Sequence, residues 1–410
     1  MPEFLKVATP DQVFAALSRF GRLAVETAPL DDALGRVCGA EISSPEDLPP
    51  LPRATMDGFA VRAADTFGAS DSIPAFLDVA GAVAMGQIPG VAIGRNQAAA
   101  IPTGGFLPQG ADAVVMVEYT NPAGKDAIEV SRPVTAGENV LGTAEDVAQG
   151  EVVIPLGKRL LPPDIGLLAG LGITEVAVYR RPGAAVISTG DEIVPITATP
   201  PPGRIRDINA HSIAALVRSA GGEAEMFEGV PDDPALLRAA LEKALASADL
   251  VVLSGGSSVG ERDHMVSVVA SLPGAEVHAH GIAISPGKPT LIASVNGKPV
   301  FGLPGHPVSA LVVAQVFLAP FIRYLGGEEL KRGPAGARVR AVLTASVHSA
   351  QGREEYVRVK IDGTGGHIGA RPVFGKSGML STLVKADGFV VVPMHTEGIP
   401  AGETVDVILF

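Results

Sequence analysis

At 410 residues the chain exceeds what one hydrophobic core holds, so two to four domains are expected. An apolar content of 47% excludes a disordered polymer, and a formal charge of -12, from 44 acids against 32 bases, excludes a surface built to hold polyphosphate backbones. Nucleic acid is therefore not expected as a partner, and any anionic ligand needs a local site.

In chain order, the first signal is Thr9-Pro10-Asp11-Gln12, a capping box with proline at the first helical position, which predicts a helix through DQVFAALSRF to Gly21. No basic stretch followed by a long apolar core precedes it, so a secretory leader is not expected. Cys38 is the only cysteine, which offers neither a disulfide framework nor a thiolate cage and suits a reducing cytoplasm. From about Asp47 to Asp146, short apolar runs (AAAIP, AVVMVE, AIEV) separated by Gly and Pro predict a β-rich unit.

Between Arg180 and Gly327 strands alternate with helices. AAVIS precedes a helix NAHSIAALVRSA, with Asn209 expected as its cap and Gly221-Gly222 as its stop. AEMF precedes a helix capped by Asp233 and opened by Pro234, LVVL runs into SGGSSVGERDH, and PVFGL runs into a helix after Pro307. This alternation predicts an α/β domain with a doubly wound, mostly parallel sheet. TATPPPG (197–203) reads as a long loop inside that domain, because a boundary there would part AAVIS from its helix. The apolar run from Val308 to Ile322 falls short of the roughly 20 residues that span a bilayer and contains Gln315 and Pro320, so it predicts a buried helix and no membrane partner. After Lys331 only strand-like segments remain, which predicts a closed or sandwiched β domain of about 80 residues.

In an open parallel sheet, ligands sit beyond the carboxyl ends of the strands. Four glycine-bearing exits are expected there: Ser188-Thr189-Gly190 leading to Glu192, Ser254-Gly255-Gly256-Ser257-Ser258 leading through Gly260 to Asp263, Ser285 to Pro289 around Gly287, and Pro304-Gly305 leading to Pro307. Backbone N–H groups in such loops favour phosphate-like anions, although each loop taken singly also fits a tight turn. Asp191, Glu192, Glu261 and Asp263 would repel an anion unless a hard cation such as Mg²⁺ bridges the two, and Lys288 is the direct counter-charge. The Walker and dinucleotide spacings are not met. Gly256 to Gly260 does spell G-x-S-x-G, which keeps open a serine hydrolase with Ser258 as nucleophile and His306 as base, although ERDH continues polar where that elbow needs a helix.

Together with MDGFAV (56–61), IPTGGFLPQGADAVVMVE (101–118), GENV…AEDV (137–147), GRIRDINAHSI (203–213), GLPGHPVSA (302–310) and GKSGMLSTL (375–383), these loops occur in the order of a known family. Over nearly its whole length the chain resembles the molybdopterin molybdenumtransferases, the cofactor-inserting enzymes related to the C-terminal part of gephyrin. The resemblance implies a cytoplasmic homodimer of four-domain subunits. Residues 1–46 with 147–179 would form an elongated dimerising domain, 47–146 an inserted β-rich domain, 180–328 the α/β molybdopterin-binding domain and 329–410 a β-barrel-like domain. It also implies adenylylated molybdopterin and molybdate as substrates, Mg²⁺ as cofactor, AMP as product, and a molybdopterin adenylyltransferase and apo-molybdoenzymes as exchange partners.

Carried over one residue at a time, Asp57, Thr103 and Asp146 would be contributions of the partner's inserted domain, and Glu192 and Asp263 metal or substrate ligands. Lys288 would be an anion contact, Pro304 and Pro307 shapers of the last loop, and Arg358 and Ser377 contacts to oxyanion or phosphate. The sequence departs from the family pattern in three places: Ser285 replaces a basic residue, LPRATMDG replaces a more polar approach, and LGTAED lacks the usual arginines. Each removes a charge or a hydrogen-bonding group from the expected oxyanion path. An adenylyltransferase and a non-catalytic pterin binder remain alternatives on the same site.

Overall fold

The computed structural model of the chain describes residues 7–255, 264–363 and 368–410. The chain divides into two compact units, Met1–Gly39 with Gly157–Leu161 and Val176–Phe410, and Ala40–Leu156 with Pro162–Glu175.

The first unit is built on a six-stranded sheet in the order Glu223–Met226, Gly183–Ser188, Leu250–Ser254, Lys298–Leu303, Leu291–Val295, Ala275–His280. The first three pairings are parallel and the last two antiparallel, so the sheet is mostly parallel, as the βα alternation predicts. Alternate side chains of each strand enter opposite cores, because the pleat has a period of two. Ala184, Val186, Leu250, Val252 and Phe301 pack under the helices Asn209–Ser219 and Pro307–Val313, whereas Ala185, Ile187, Val251, Leu253 and Val300 pack under Pro234–Ser247 and His264–Ser271.

Local signals shape these elements. Asp233 accepts from the N–H groups of Ala235 and Leu236 at 2.8 and 3.0 Å, with Pro234 at the start of the helix. The Thr9–Gln12 capping box is formed, but its helix is Pro10–Leu17 and stops short of the expected Gly21. There the Ser18 hydroxyl donates to Ala15 O, and the amides of Arg19 and Phe20 turn to carbonyls three residues back, which tightens the last turn. The apolar run becomes Pro307–Leu325, long and apolar enough for a membrane, yet 78% of that window is buried within the protein. Its middle, Ala314–Leu318, is a π turn just before Pro320, whose ring nitrogen has no hydrogen to continue the helical ladder.

The C-terminal strands form a closed barrel in the order 354–362, 369–372, 338–343, 404–409, 388–392, with the last strand pairing back to the first. Ile284–Ser285 joins its edge, pairing in parallel with Glu354 and Glu355.

The second unit centres on a mixed six-stranded sheet in the order Ala113–Met116, Gly58–Val61, Gln97–Ile101, Ala75–Ala82, Ala127–Val130, Thr120–Pro122. Gly58 is demanded by packing: a Cβ there would lie 1.9 Å from Val115 O on the neighbouring strand.

Candidate active site

A cleft of about 920 Å³ opens at the carboxyl ends of the parallel strands of the first unit. All four expected loops contribute to it, through Thr189, Gly190 and Glu192, through Ser254 and Gly255, through Gly287 and Lys288, and through Pro304, Gly305 and Pro307. The third arrives by another route than the sequence suggests. It enters the strand Leu291–Val295 rather than leaving a strand of that sheet, and reaches the cleft because Leu291–Val295 is reversed: Leu291 lies opposite Gly302, so its beginning sits beside its neighbour's end. Gly255 is required at the mouth, since with φ at +140° a Cβ would lie 2.1 Å from Thr189 O.

Ser188 is not brought to the lining. It is fully buried at the strand end, where its hydroxyl donates to Asp207 Oδ1 at 2.9 Å. The same oxygen accepts from Ala210 N–H at 2.9 Å, so Asp207, not the expected Asn209, caps the helix. Asn209 is 9% exposed and braces two exits, its Nδ2 donating at 2.8 Å both to Ser254 Oγ and to Gly305 O. Among the described residues its Oδ1 has no hydrogen-bond partner. Both residues lie inside the quoted GRIRDINAHSI, but nothing local distinguishes an Asn that starts a helix from one that ties two loops.

Ser377 lines the cleft, with its hydroxyl 2.7 Å from His306 Nδ1 and its carbonyl accepting from Val308 N–H at 3.0 Å. Arg358 is not brought to the lining. Its guanidinium donates to Thr382 Oγ1 and Gly375 O at 3.0 and 3.1 Å, which fastens the segment carrying Ser377, and burial lowers its pKa. Arg353 lines the cleft instead, just before the point where Ile284–Ser285 joins the barrel. One of its nitrogens reaches Glu355 at 3.4 Å, while among the described residues its buried Nε has no partner. Ser285 lines the cleft as well.

Among the described residues the lining carries Arg206, Lys288 and Arg353 against Glu192, Asp207 and Asp232. Arg206 is occupied by the carbonyls of Ile196 and Ala198, each at 3.0 Å. Gly256, Ser257, Ser258, Gly260 and Asp263 lie outside the described residues, and with them the nucleophile of the hydrolase reading. Among the described residues no group of three or more His, Cys, Asp and Glu side chains gathers to hold a metal. Mg²⁺ does not require one: it keeps several waters and binds through one or two carboxylates together with substrate phosphates. The exposed Glu192 and Asp232 provide such oxygens on the cleft wall, so the donor chemistry fits a hard cation.

Asp57, Thr103 and Asp146 belong to the second unit. Asp57 and Thr103 meet: the Thr103 N–H and hydroxyl donate to Asp57 Oδ1 at 2.7 and 2.9 Å, and these two bonds hold the carboxyl below its usual pKa. Asp146 is anchored through its amide to Leu48 O at 3.1 Å.

Comparison with known proteins agrees with this architecture. Residues 8–172 match the MoeA N-terminal region (domains I and II), 185–324 a domain described as "Probable molybdopterin binding domain", and 340–410 the MoeA C-terminal region (domain IV). The molybdopterin molybdenumtransferase of Bacillus subtilis is 33% identical over 94% of this chain and 89% of its own. Molybdopterin molybdenumtransferase 2 of Mycobacterium tuberculosis is 34% identical over 93% of this chain and 94% of its own. A crystal structure of the molybdopterin biosynthesis MoeA protein from Pyrococcus horikosii superimposes with a TM-score of 0.81 at 38% identity, covering 98% of this chain and 99% of that one. With its three regions matched in order and such identity along nearly its full length, the chain belongs to the molybdopterin molybdenumtransferase family.

Proposed function

We propose that this transferase of molybdenum cofactor biosynthesis takes adenylylated molybdopterin and molybdate as substrates and releases AMP as molybdenum is ligated by the pterin dithiolene. The observation that carries this reading is the convergence of glycine-bearing loops, Lys288 and Glu192 on one cleft of about 920 Å³. Sites that hold organic ligands of this size measure roughly 300–1,000 Å³.

A dianionic oxyanion and a pyrophosphate repel each other, so the protein's task is chiefly to position them and to neutralise charge. Backbone N–H groups of the glycine loops would hold the phosphates. Lys288 and Arg353 supply cationic donors, and Asn209 Oδ1, unpartnered among the described residues, supplies an acceptor for a ligand N–H. Among the described residues the charged lining is balanced, three cations against three acids, so these side chains alone do not offset the substrates. That balance supports a divalent cation held by Glu192 and Asp232, with Asp263 as the further ligand the family resemblance suggests. When bound, Mg²⁺ would supply the remaining positive charge between oxyanion and phosphate. The chain is proposed to act as a cytoplasmic homodimer that receives its pterin from an adenylyltransferase and passes the cofactor to apo-molybdoenzymes.

The test is AMP release from adenylylated molybdopterin, with molybdate and tungstate supplied in turn. Pterin binding without AMP release in either case would leave a non-catalytic binder. Accumulation of adenylylated pterin from ATP, Mg²⁺ and molybdopterin alone would establish adenylyl transfer instead.

A further inference from the structure

A second hollow in the first unit, of about 200 Å³, is lined by six arginines: Arg36, Arg159, Arg180, Arg181, Arg218 and Arg323. In a chain of net charge -12 this concentration of guanidinium groups is costly unless something negative meets them. Three already have a carboxylate: Arg36 pairs with Glu26, Arg159 with Glu328 at 2.8 Å, and Arg180 with Asp249 at 2.6 Å. Glu223 acts on Arg180, which is already paired. Among the described residues Arg181 and Arg218 reach only backbone carbonyls, of Asp32 at 3.3 Å and of Ala224 at 3.0 Å. Among the described residues Arg323 has no ion pair, and its buried Nε, like that of Arg36, has no hydrogen-bond partner.

Three positive charges are thus left over. The C-terminal ends of two helices, at Ala220 and Gly326, also face the hollow, and each such end carries about half a negative charge. About two positive charges remain. Buried N–H donors without partners are rare and expensive, and a guanidinium presents its donors in a fork that matches a tetrahedral oxyanion.

We propose that this hollow is a second anion site, separate from the cleft, that binds a small tetrahedral dianion of the molybdate, sulfate or hydrogen phosphate class. At about 200 Å³ it lies below the range that holds a nucleotide or a pterin, and it has room for one oxyanion with its waters. The proposal needs no particular reading of the cleft.

The test is calorimetric titration of the full chain at low ionic strength with sodium molybdate, sulfate and phosphate in separate arms. Lys288→Ala removes the cleft contribution. The expected result is one saturable anion site per chain that persists in Lys288→Ala and weakens at least tenfold in Arg323→Gln, because a charge-assisted hydrogen bond is lost. Arg218→Gln changes an exposed side chain with a single backbone contact, so it folds normally, and it should weaken the same site. Arg323→Lys keeps the charge but loses the fork and should fall between wild type and Arg323→Gln. No saturable binding in Lys288→Ala, or binding indifferent to both glutamine variants, overturns the site. So does a change of oligomeric state in those variants without any anion binding, which would mean that a carboxylate of a second copy fills the hollow.

Discussion

Asn209 offers the sharpest test of how the cleft is held together. Its Nδ2 donates to Ser254 Oγ and to Gly305 O at 2.8 Å each, so one buried amide joins the ends of two parallel strands. Asn209→Ala removes both bonds. The Ser254 end is dry and its loss costs about 1–2 kcal/mol, whereas Gly305 lies at the exposed cleft surface, where water replaces much of the lost bond, at up to about 1 kcal/mol. Together these amount to about 2 kcal/mol, equivalent to roughly a thirtyfold loss in hydrogen-exchange protection. The loss should appear in the amides of Leu250–Ser254 and Lys298–Leu303, whose ends the amide joins, with the barrel strands unaffected. Asn209→Asp keeps the shape but turns the donor into an acceptor. The Ser254 hydroxyl can rotate to donate to it, but Gly305 O cannot, so this variant should be at least as damaged as the alanine. AMP release should fall in both. Wild-type protection and turnover in Asn209→Asp would refute the brace.

Lys288→Ala should lower kcat/KM for AMP release by about 10- to 150-fold, the worth of a charge-assisted hydrogen bond, while the melting temperature stays unchanged because the side chain is exposed and has no partner among the described residues. Glu192→Gln should raise the Mg²⁺ concentration that supports half-maximal AMP release, and chelation should stop the wild-type reaction without unfolding the chain; full activity in excess chelator would exclude the metal. Gly58→Ala, whose Cβ would sit 1.9 Å from Val115 O, should destabilise the second unit by at least about 1–3 kcal/mol in a limited-proteolysis assay, and a neutral result would show that the strand pair yields easily. Burial holds the pKa of His278 below its ordinary value, so the unfolded chain binds the proton more readily and stability falls as pH drops below about 6.5. The difference in stability between wild type and His278→Asn should therefore change on acidification from pH 7; a pH-independent difference would refute this.

The sequence by itself was enough for the α/β alternation, the proline-led caps at Thr9 and Asp233 and the glycine loops, because these depend on neighbours within a few residues and on the 3.6 and 2.0 periods of helix and strand. It was enough for the family too, through motifs that recur in order along the chain. Only the tertiary structure decided which of adjacent candidates faces the cleft. Asp207 rather than Asn209 caps its helix because Ser188 at the end of another element orients the carboxylate. The lysine loop reaches the cleft because Leu291–Val295 runs backwards in an otherwise parallel neighbourhood. Arg353 lines it while Arg358 fastens a loop, because the Ile284–Ser285 pairing brings only the start of the barrel strand to that edge. Strand direction, register and the far partner of a side chain are set by residues distant in sequence, and no local pattern encodes them.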